Sequence, residues 1–319
     1  MRALKTAGSM ILLGVIAGCG TDASDRNATE ATEAAAVATP AAAPDEPSLI
    51  LVRAEDYAFT APPTFPSGWV TLKFENQGEE DHFLLVWRLP EGKNFDEYAA
   101  EVARPFQEHY TRYRAGEVDQ AAFLEQLTAA IPEWFYEAVP MGGPGFTAPG
   151  RTSQTTIYLE PGDNYVLECY VRSMIEDHRF HGSEGMLRPL VVTAEASGLE
   201  PPEADIEITI SNSGLAVSGN LSAGSHMVRV RVEDVPKGLI RHNVHLARLE
   251  GDQAAADVAP WLNWVDEMLP PAPVDFLGGA GQTVSGRESY LMVDLDPGRY
   301  AWISEMHGID GFVHEFTVE

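Results

Sequence analysis

One segment occurs twice in this chain, and that duplication limits what the chain can fold into more than any other feature. Gly142-Gly143-Pro144-Gly145-Phe146-Thr147-Ala148-Pro149-Gly150-Arg151 aligns without a gap to Gly278-Gly279-Ala280-Gly281-Gln282-Thr283-Val284-Ser285-Gly286-Arg287. The register continues through Leu159-Glu160-Pro161-Gly162 and Leu295-Asp296-Pro297-Gly298. Upstream, His82 with Arg88-Leu89 matches His242 with Arg248-Leu249 at a constant offset. Each stretch alone is short, but their common order implies two copies of one unit. The copies are expected at residues 48–195 and 205–319. Residues 196–204 form the linker, where Pro201-Pro202 and acidic residues interrupt the strand pattern.

Strand signals dominate both copies. Val70, Leu72 and Phe74 alternate within Trp69 to Glu75, and Phe83 to Leu89 is a near-continuous apolar run, as expected of a strand buried on both sides. Thr155 to Leu159, Tyr165 to Val171 and Leu187 to Thr193 read as further strands separated by Pro-Gly and Asn/Gly turns, and Val228, Val230 and Val232 repeat the alternation in the second copy. Regular strands with such turns predict an all-β fold of two tandem β-sandwiches. The first carries an insertion over Asn94 to Val139, where Phe123, Leu127 and Ile131 recur at the spacing of an amphipathic helix. A shorter insertion runs from Val258 to Met268, and Trp134, Phe135, Tyr136, Trp261 and Trp264 are expected to pack these insertions onto the sandwiches.

The N-terminus reads as a targeting segment. Arg2 and Lys5 precede a short apolar run, Met10 to Ile16, too short to span a bilayer as a helix. Ile16-Ala17-Gly18-Cys19 resembles the lipobox of bacterial lipoproteins. That resemblance implies a signal peptide over residues 1–19, cleaved before Cys19, with Cys19 acylated and the protein anchored by lipid in the cell envelope, on the periplasmic or outer-membrane side in a Gram-negative cell. Residues 20–47, rich in Ala, Thr, Pro and Glu without apolar periodicity, are expected to form a disordered tether. The formal net charge of −27 argues against nucleic acid as a partner and favours basic ones.

Cys169 is the only cysteine besides Cys19. In a disulfide-forming compartment it has no partner in its own chain, so it is either buried as a small hydrophobe or bound to a metal. His181, Gly182, Gly185 and Met186 follow it, and His82 lies upstream. Two imidazoles, a thiolate and a weak thioether are the donor set of an electron-transfer copper centre. The second copy reads Ser304, His307, Gly308, Gly311 and Phe312, so both sulfurs are gone.

These motifs resemble the cupredoxins, the blue copper proteins. The likeness rests on His82-Phe83-Leu84-Leu85-Val86 after an Asn-x-Gly turn, on Tyr165-Val166-Leu167-Glu168-Cys169, and on His181-Gly182-Ser183-Glu184-Gly185-Met186. It implies Greek-key sandwiches and one copper held by His82, Cys169, His181 and Met186, used for one-electron exchange with a redox protein partner. Eleven residues separate Cys169 from His181, more than in small blue copper proteins, so Tyr170 to Phe180 must bulge out and return; His178 within the bulge is expected to be a solvated loop residue. With Ser304 and Phe312 in place of sulfur, the second copy is expected to be a degenerate scaffold, its His242, His245, His307 and His314 forming no metal site.

Multicopper oxidases and copper nitrite reductases also resemble stacked cupredoxin domains, but they place a histidine beside the copper cysteine; here the neighbours are Glu168 and Tyr170. No Gly-x-Ser-x-Gly, His-Glu-x-x-His or phosphate-binding loop is present, so no enzymatic activity is expected. The acidic run Glu79-Glu80-Asp81 is expected to be a solvated turn. The competing reading is a metal-free interaction module of the cell envelope, with Cys169 and the histidines as a structural cluster; it gains if Cys169 points into an apolar core away from both histidines.

Overall fold

Alternation of apolar and polar residues builds the first half around one long strand. In the computed structural model, which describes residues 49–319 apart from Glu176, residues 237–238 and Met306, Val70, Leu72 and Phe74 point inward from Thr64–Asn76 and are fully buried. Each such side chain contributes about 1.5–3 kcal/mol by leaving water. The expected signal peptide, the tether and Cys19 lie outside the described residues.

The first half contains β1 (Leu49–Glu55), β2 (Ala58–Thr60), β3 (Thr64–Asn76), β4 (Leu85–Arg88), β5 (Val139–Pro140), β6 (Thr152–Leu159), β7 (Gly162–Glu168) and β8 (Leu187–Ala196). β3 lies between β1, which runs parallel to it, and antiparallel β6. The other layer has the order β8-β7-β4-β5. The start of β3 crosses to pair in parallel with β8, Thr64 opposite Val191, so one strand serves both layers. The second half repeats this plan with β9 (Ile206–Ser211), β10 (Gly214–Gly219), β11 (Gly224–Val232), β12 (His242–Leu249), β13 (Asp275–Thr283), β14 (Glu288–Leu295), β15 (Gly298–Ile303) and β16 (Val313–Val318). β9 is parallel to β11, as β1 is to β3. The layer β13-β12-β15-β16 packs across a shared core of Val228, Val230, Leu246 and Trp302.

The strand expected over Phe83 to Leu89 is shorter than its apolar run. Phe83 and Leu84 are buried but precede the ladder, because the Leu84 backbone N–H donates to Pro144 rather than to a neighbouring strand. The insertion forms a helix over residues 95–114 (α1), capped by Asn94, and a second over Gln120–Ala130 (α2), capped by Asp119. Phe123, Leu127 and Ile131 face inward. The aromatics of the shorter insertion meet the first half: Trp264 lies 4.9 Å from the ring of Phe106, and Trp261 lies 5.4 Å from that of Phe146. Tyr136 remains exposed.

The two halves are joined in two ways. Edge strands β6 and β14 pair antiparallel, Tyr290 opposite Thr156, merging one layer of each half into a single sheet. The duplicated glycine segments also pair with each other: Gly145 N–H donates to Gly279 O at 3.1 Å, Gly281 N–H to Gly143 O at 2.8 Å and Gly278 N–H to Phe146 O at 2.8 Å. Backbone meets backbone so closely here that a Cβ on Gly145 would lie 2.6 Å from His245 Nδ1 and 2.8 Å from the Gly279 Cα. This contact explains why the glycines recur in both copies.

Gly145→Ala is therefore expected to destabilise the protein by about 3 kcal/mol through overpacking. Gly150→Ala, at φ 73° with open space around it, should cost only about 1 kcal/mol of backbone strain. Denaturant unfolding of both variants measures the contrast.

Candidate metal centre

The centre starts from the turn before His82. Asn76, at the end of β3, donates its side-chain amide to Glu80 O and to Thr147 O, both at 2.8 Å, and accepts from the Gly78 N–H at 3.0 Å. This fixes the turn and delivers His82 into a backbone bridge with Thr147. Cys169 follows the end of β7, and its N–H donates to Met186 O at 3.1 Å.

The eleven-residue excursion closes at its neck. Arg172 and Phe180 form an antiparallel bridge, the Ser173 N–H donates to Arg179 O at 2.8 Å, and the His181 N–H donates to Val171 O at 2.8 Å. The excursion is thus a hairpin whose ends return together, so its length does not separate thiol from imidazole. Its outer face is held by the second half: the Arg172 N–H donates to Met268 O at 3.2 Å and its guanidinium Nη2 to Asp266 O at 3.0 Å. His178 stays in the hairpin, with Nδ1 3.0 Å from Ser173 O, away from the other donors.

Cys169, His82 and His181 converge with no exposed surface. The two Nδ1 atoms are 3.1 Å apart, and the sulfur lies 3.5 Å from His181 Nδ1 and 4.0 Å from His82 Nδ1. Met186 is also fully buried, and its N–H donates to His181 O at 2.8 Å. Each imidazole's far nitrogen meets a carboxylate: His82 Nε2 is 2.9 Å from Asp56 Oδ1, and His181 Nε2 is 2.8 Å from Glu80 Oε2.

The electrostatics follow from burial and these partners. Burial works to raise Asp56, but the backbone N–H groups of Glu79 and Glu80, with His82, hold it below the usual carboxylate value. Burial likewise opposes ionisation of Glu80, yet His181, the Tyr57 hydroxyl and the Met174 N–H bring it below its ordinary value. A carboxylate only accepts, so each Nε2 donates its N–H to its carboxylate, and each ring is turned with Nδ1 toward the sulfur. Burial, with His181 alongside, pushes His82 down to about 4, so its ring is neutral. Burial pushes the Cys169 thiol up to about 12, against the N–H groups of Phe83 and Val171 that point at the sulfur.

This donor set fits one metal ion. The two Nδ1 atoms face each other at 3.1 Å with the sulfur beside them, and these three atoms are the donors that would hold a cation. His82, Cys169 and His181 offer donor atoms close enough together to hold a single ion, and their types suit copper. The N–H groups at the sulfur already favour the thiolate that metal binding requires.

Several partners were not singled out by sequence. Asp56 and Tyr57 occupy the β1–β2 turn, where Tyr57 takes φ 68° and sets its ring edge-on to His181 at 5.3 Å. A lone Asp-Tyr pair carries no signal in one sequence. The expectation of a solvated acidic turn fails for two of its three residues: Glu79 is exposed, but Glu80 and Asp81 are buried, and Asp81 accepts from the Ala272 N–H at 3.0 Å. These acids are buried because each meets a donor delivered from another part of the chain.

In the second half no three-donor group forms among the described residues. His242 Nε2 is 3.2 Å from Asp234, with its ring stacked on Phe312 at 6.2 Å and 5.7 Å from His307. The Ser304 hydroxyl faces Asn243 Oδ1 and Glu305 O. His245 Nδ1 accepts from the Phe146 N–H at 3.1 Å, a structural role at the glycine contact.

The sequence matches no family model and no curated protein. Among solved structures it is similar to reduced auracyanin from Roseiflexus castenholzii, with 20% identity over 46% of this chain and 97% of that one, TM-score 0.25. It is also similar to auracyanin A, a "blue" copper protein from Chloroflexus aurantiacus, with 17% identity over 46% and 98% of the two chains, TM-score 0.27. A multicopper oxidase is similar over 85% of this chain and 88% of its own, at 14% identity and TM-score 0.21. In its own strand plan, with a histidine before an internal strand and Cys169, His181 and Met186 around the following loop, the first half is cupredoxin-like.

Behind the centre, Tyr170 donates to Glu305 Oε2 at 2.7 Å and Asn243 Nδ2 to the same oxygen at 3.0 Å. Burial pushes Glu305 up to about 8 from its ordinary 4.5. The fold therefore keeps this proton while the unfolded chain releases it, so stability is intact below pH 4.5 and declines as pH rises toward 8. Glu305→Gln should be more stable than the parent at pH 8, with the advantage shrinking by pH 5; thermal unfolding across that range checks it.

Proposed function

We propose that this protein is a lipid-anchored copper protein of the cell envelope that passes single electrons, or handles copper, through one centre held by His82, Cys169, His181 and Met186. The observation carrying this reading is the convergence of two Nδ1 atoms and one sulfur in a buried site. Bound copper would supply a one-electron couple in a site whose donors suit both oxidation states.

The chain's own residues prepare that site. Asp56 and Glu80 hold the imidazoles in one tautomer, and the N–H groups of Phe83 and Val171 stabilise negative charge on sulfur. Glu168, next to Cys169, accepts from Trp87 Nε1 and the Tyr98 hydroxyl, both at 2.8 Å, which ties the helical insertion to the end of β7. A single-centre role is favoured because Glu168 and Tyr170 flank Cys169, where a relay to a second copper centre would need histidine. The metal-free interaction module would gain from a cysteine turned away from both histidines, and the 3.5 Å separation from His181 removes that support. The acidic chain suits a basic redox partner. Anchoring at Cys19 rests on the lipobox resemblance.

Titration of the purified full chain with Cu(II) should give an intense thiolate-to-copper band saturating at one copper per chain, with narrow copper hyperfine splitting in paramagnetic resonance. Cys169→Ser should lose the band while keeping the unfolding transition. A band that survives this substitution would refute the assignment.

A further inference from the structure

The two ligand imidazoles are backed by separate carboxylates that reach them from different turns, Asp56 from the β1–β2 turn and Glu80 from the turn before His82. Neither contact is incidental to a flexible surface chain. Asp56 also accepts from the backbone N–H of Glu79 at 2.8 Å and of Glu80 at 3.2 Å. Glu80 is buried and also accepts from the Met174 N–H at 3.0 Å and from the Tyr57 hydroxyl. The arrangement commits two negative charges to a site that already contains a thiol.

We infer that Asp56 and Glu80 are positioning residues that bias the centre toward a divalent over a monovalent ion, and so poise its copper couple toward the oxidised form. The inference rests on the copper reading above and adds to it a preference of charge. A thiolate with two carboxylates presents three negative charges. A divalent ion leaves one uncompensated and a monovalent ion leaves two, and the difference is screened least at Glu80, which is buried beside the donors, and more at Asp56, which is half-buried. Hydrogen bonds from Nε2–H to an anion also make each Nδ1 a stronger donor, which again favours the more highly charged ion. Tautomer and charge thus act in the same direction.

Asp56→Asn and Glu80→Gln keep an acceptor oxygen of nearly the same shape and remove only the charge, so a purely structural role would leave the redox balance unmoved. In the full chain, each substitution should weaken Cu(II) binding relative to Cu(I) by about tenfold, which raises the midpoint potential by about 59 mV for a one-electron couple. The double variant should show roughly the sum. Unchanged or lowered potentials in copper-loaded variants would overturn the inference.

A second measurement needs neither copper nor a variant. In the metal-free wild type, imidazole ¹⁵N resonances should show both His82 and His181 protonated at Nε2, the atom that faces each carboxylate. An unprotonated Nε2 on either ring would overturn the positioning role even if every variant failed to fold. Should the wild type bind no copper, the copper reading fails on its own, and the tautomers, with Zn(II) affinity falling about 10–100-fold in each variant, still decide whether the carboxylates orient the rings for a divalent ion.

Discussion

The contact between the two glycine segments is the constraint on which the rest of the molecule depends. Gly145 and Gly279 let two backbones hydrogen bond at a distance that any side chain would prevent. Once the halves are locked there, β6 and β14 are brought edge to edge, and the second half presents Asp266, Met268 and Ala272 to the back of the centre. An ordinary pair of sandwiches on a linker would offer none of these groups. Duplication has produced a scaffold in which one copy braces the chemistry of the other.

That bracing explains the division of labour between the copies. The first keeps Cys169 and Met186, with a long hairpin between Cys169 and His181. The second has Ser304 and Phe312 at the corresponding positions and uses its residues as support: Glu305 receives the Tyr170 hydroxyl, and His245 receives the Phe146 N–H. His242 still pairs with a carboxylate, Asp234, much as His82 pairs with Asp56. The aromatic face of Phe312 now lies against its ring.

Much of this was legible in the residues themselves. The gapless repeat announced two units, the alternation of Val70, Leu72 and Phe74 announced a strand with one buried face, and Phe123, Leu127 and Ile131 announced the helix that bears them. The order of His82, Cys169 and His181 pointed to three side chains that do meet. What could not be read was tertiary in origin. Glu80 and Asp81 look like any acidic turn until donors from distant segments arrive to accept them into the interior. Asp56 is one aspartate among many until the β1–β2 turn is placed beside His82. The shared sheet through β6 and β14 leaves no mark in either strand, because an edge strand and a paired one can carry the same alternation. Pairing across the repeat was visible as similarity, but similarity does not say that the copies touch.

The complete burial of all three donors bears on how an ion enters and leaves. A centre with an exposed ligand can trade its metal at the surface, one bond at a time. Here no donor reaches the surface, and the neck of the hairpin that joins Cys169 to His181 is pinned to Met268 and Asp266 on the opposite half. Exchange would therefore need the chain around the donors to open locally, so that the residence time of an ion would depend on local unfolding as well as on the strength of its bonds. In a compartment where several metals compete, the ion present when the two halves close would have an advantage that equilibrium affinity alone does not describe.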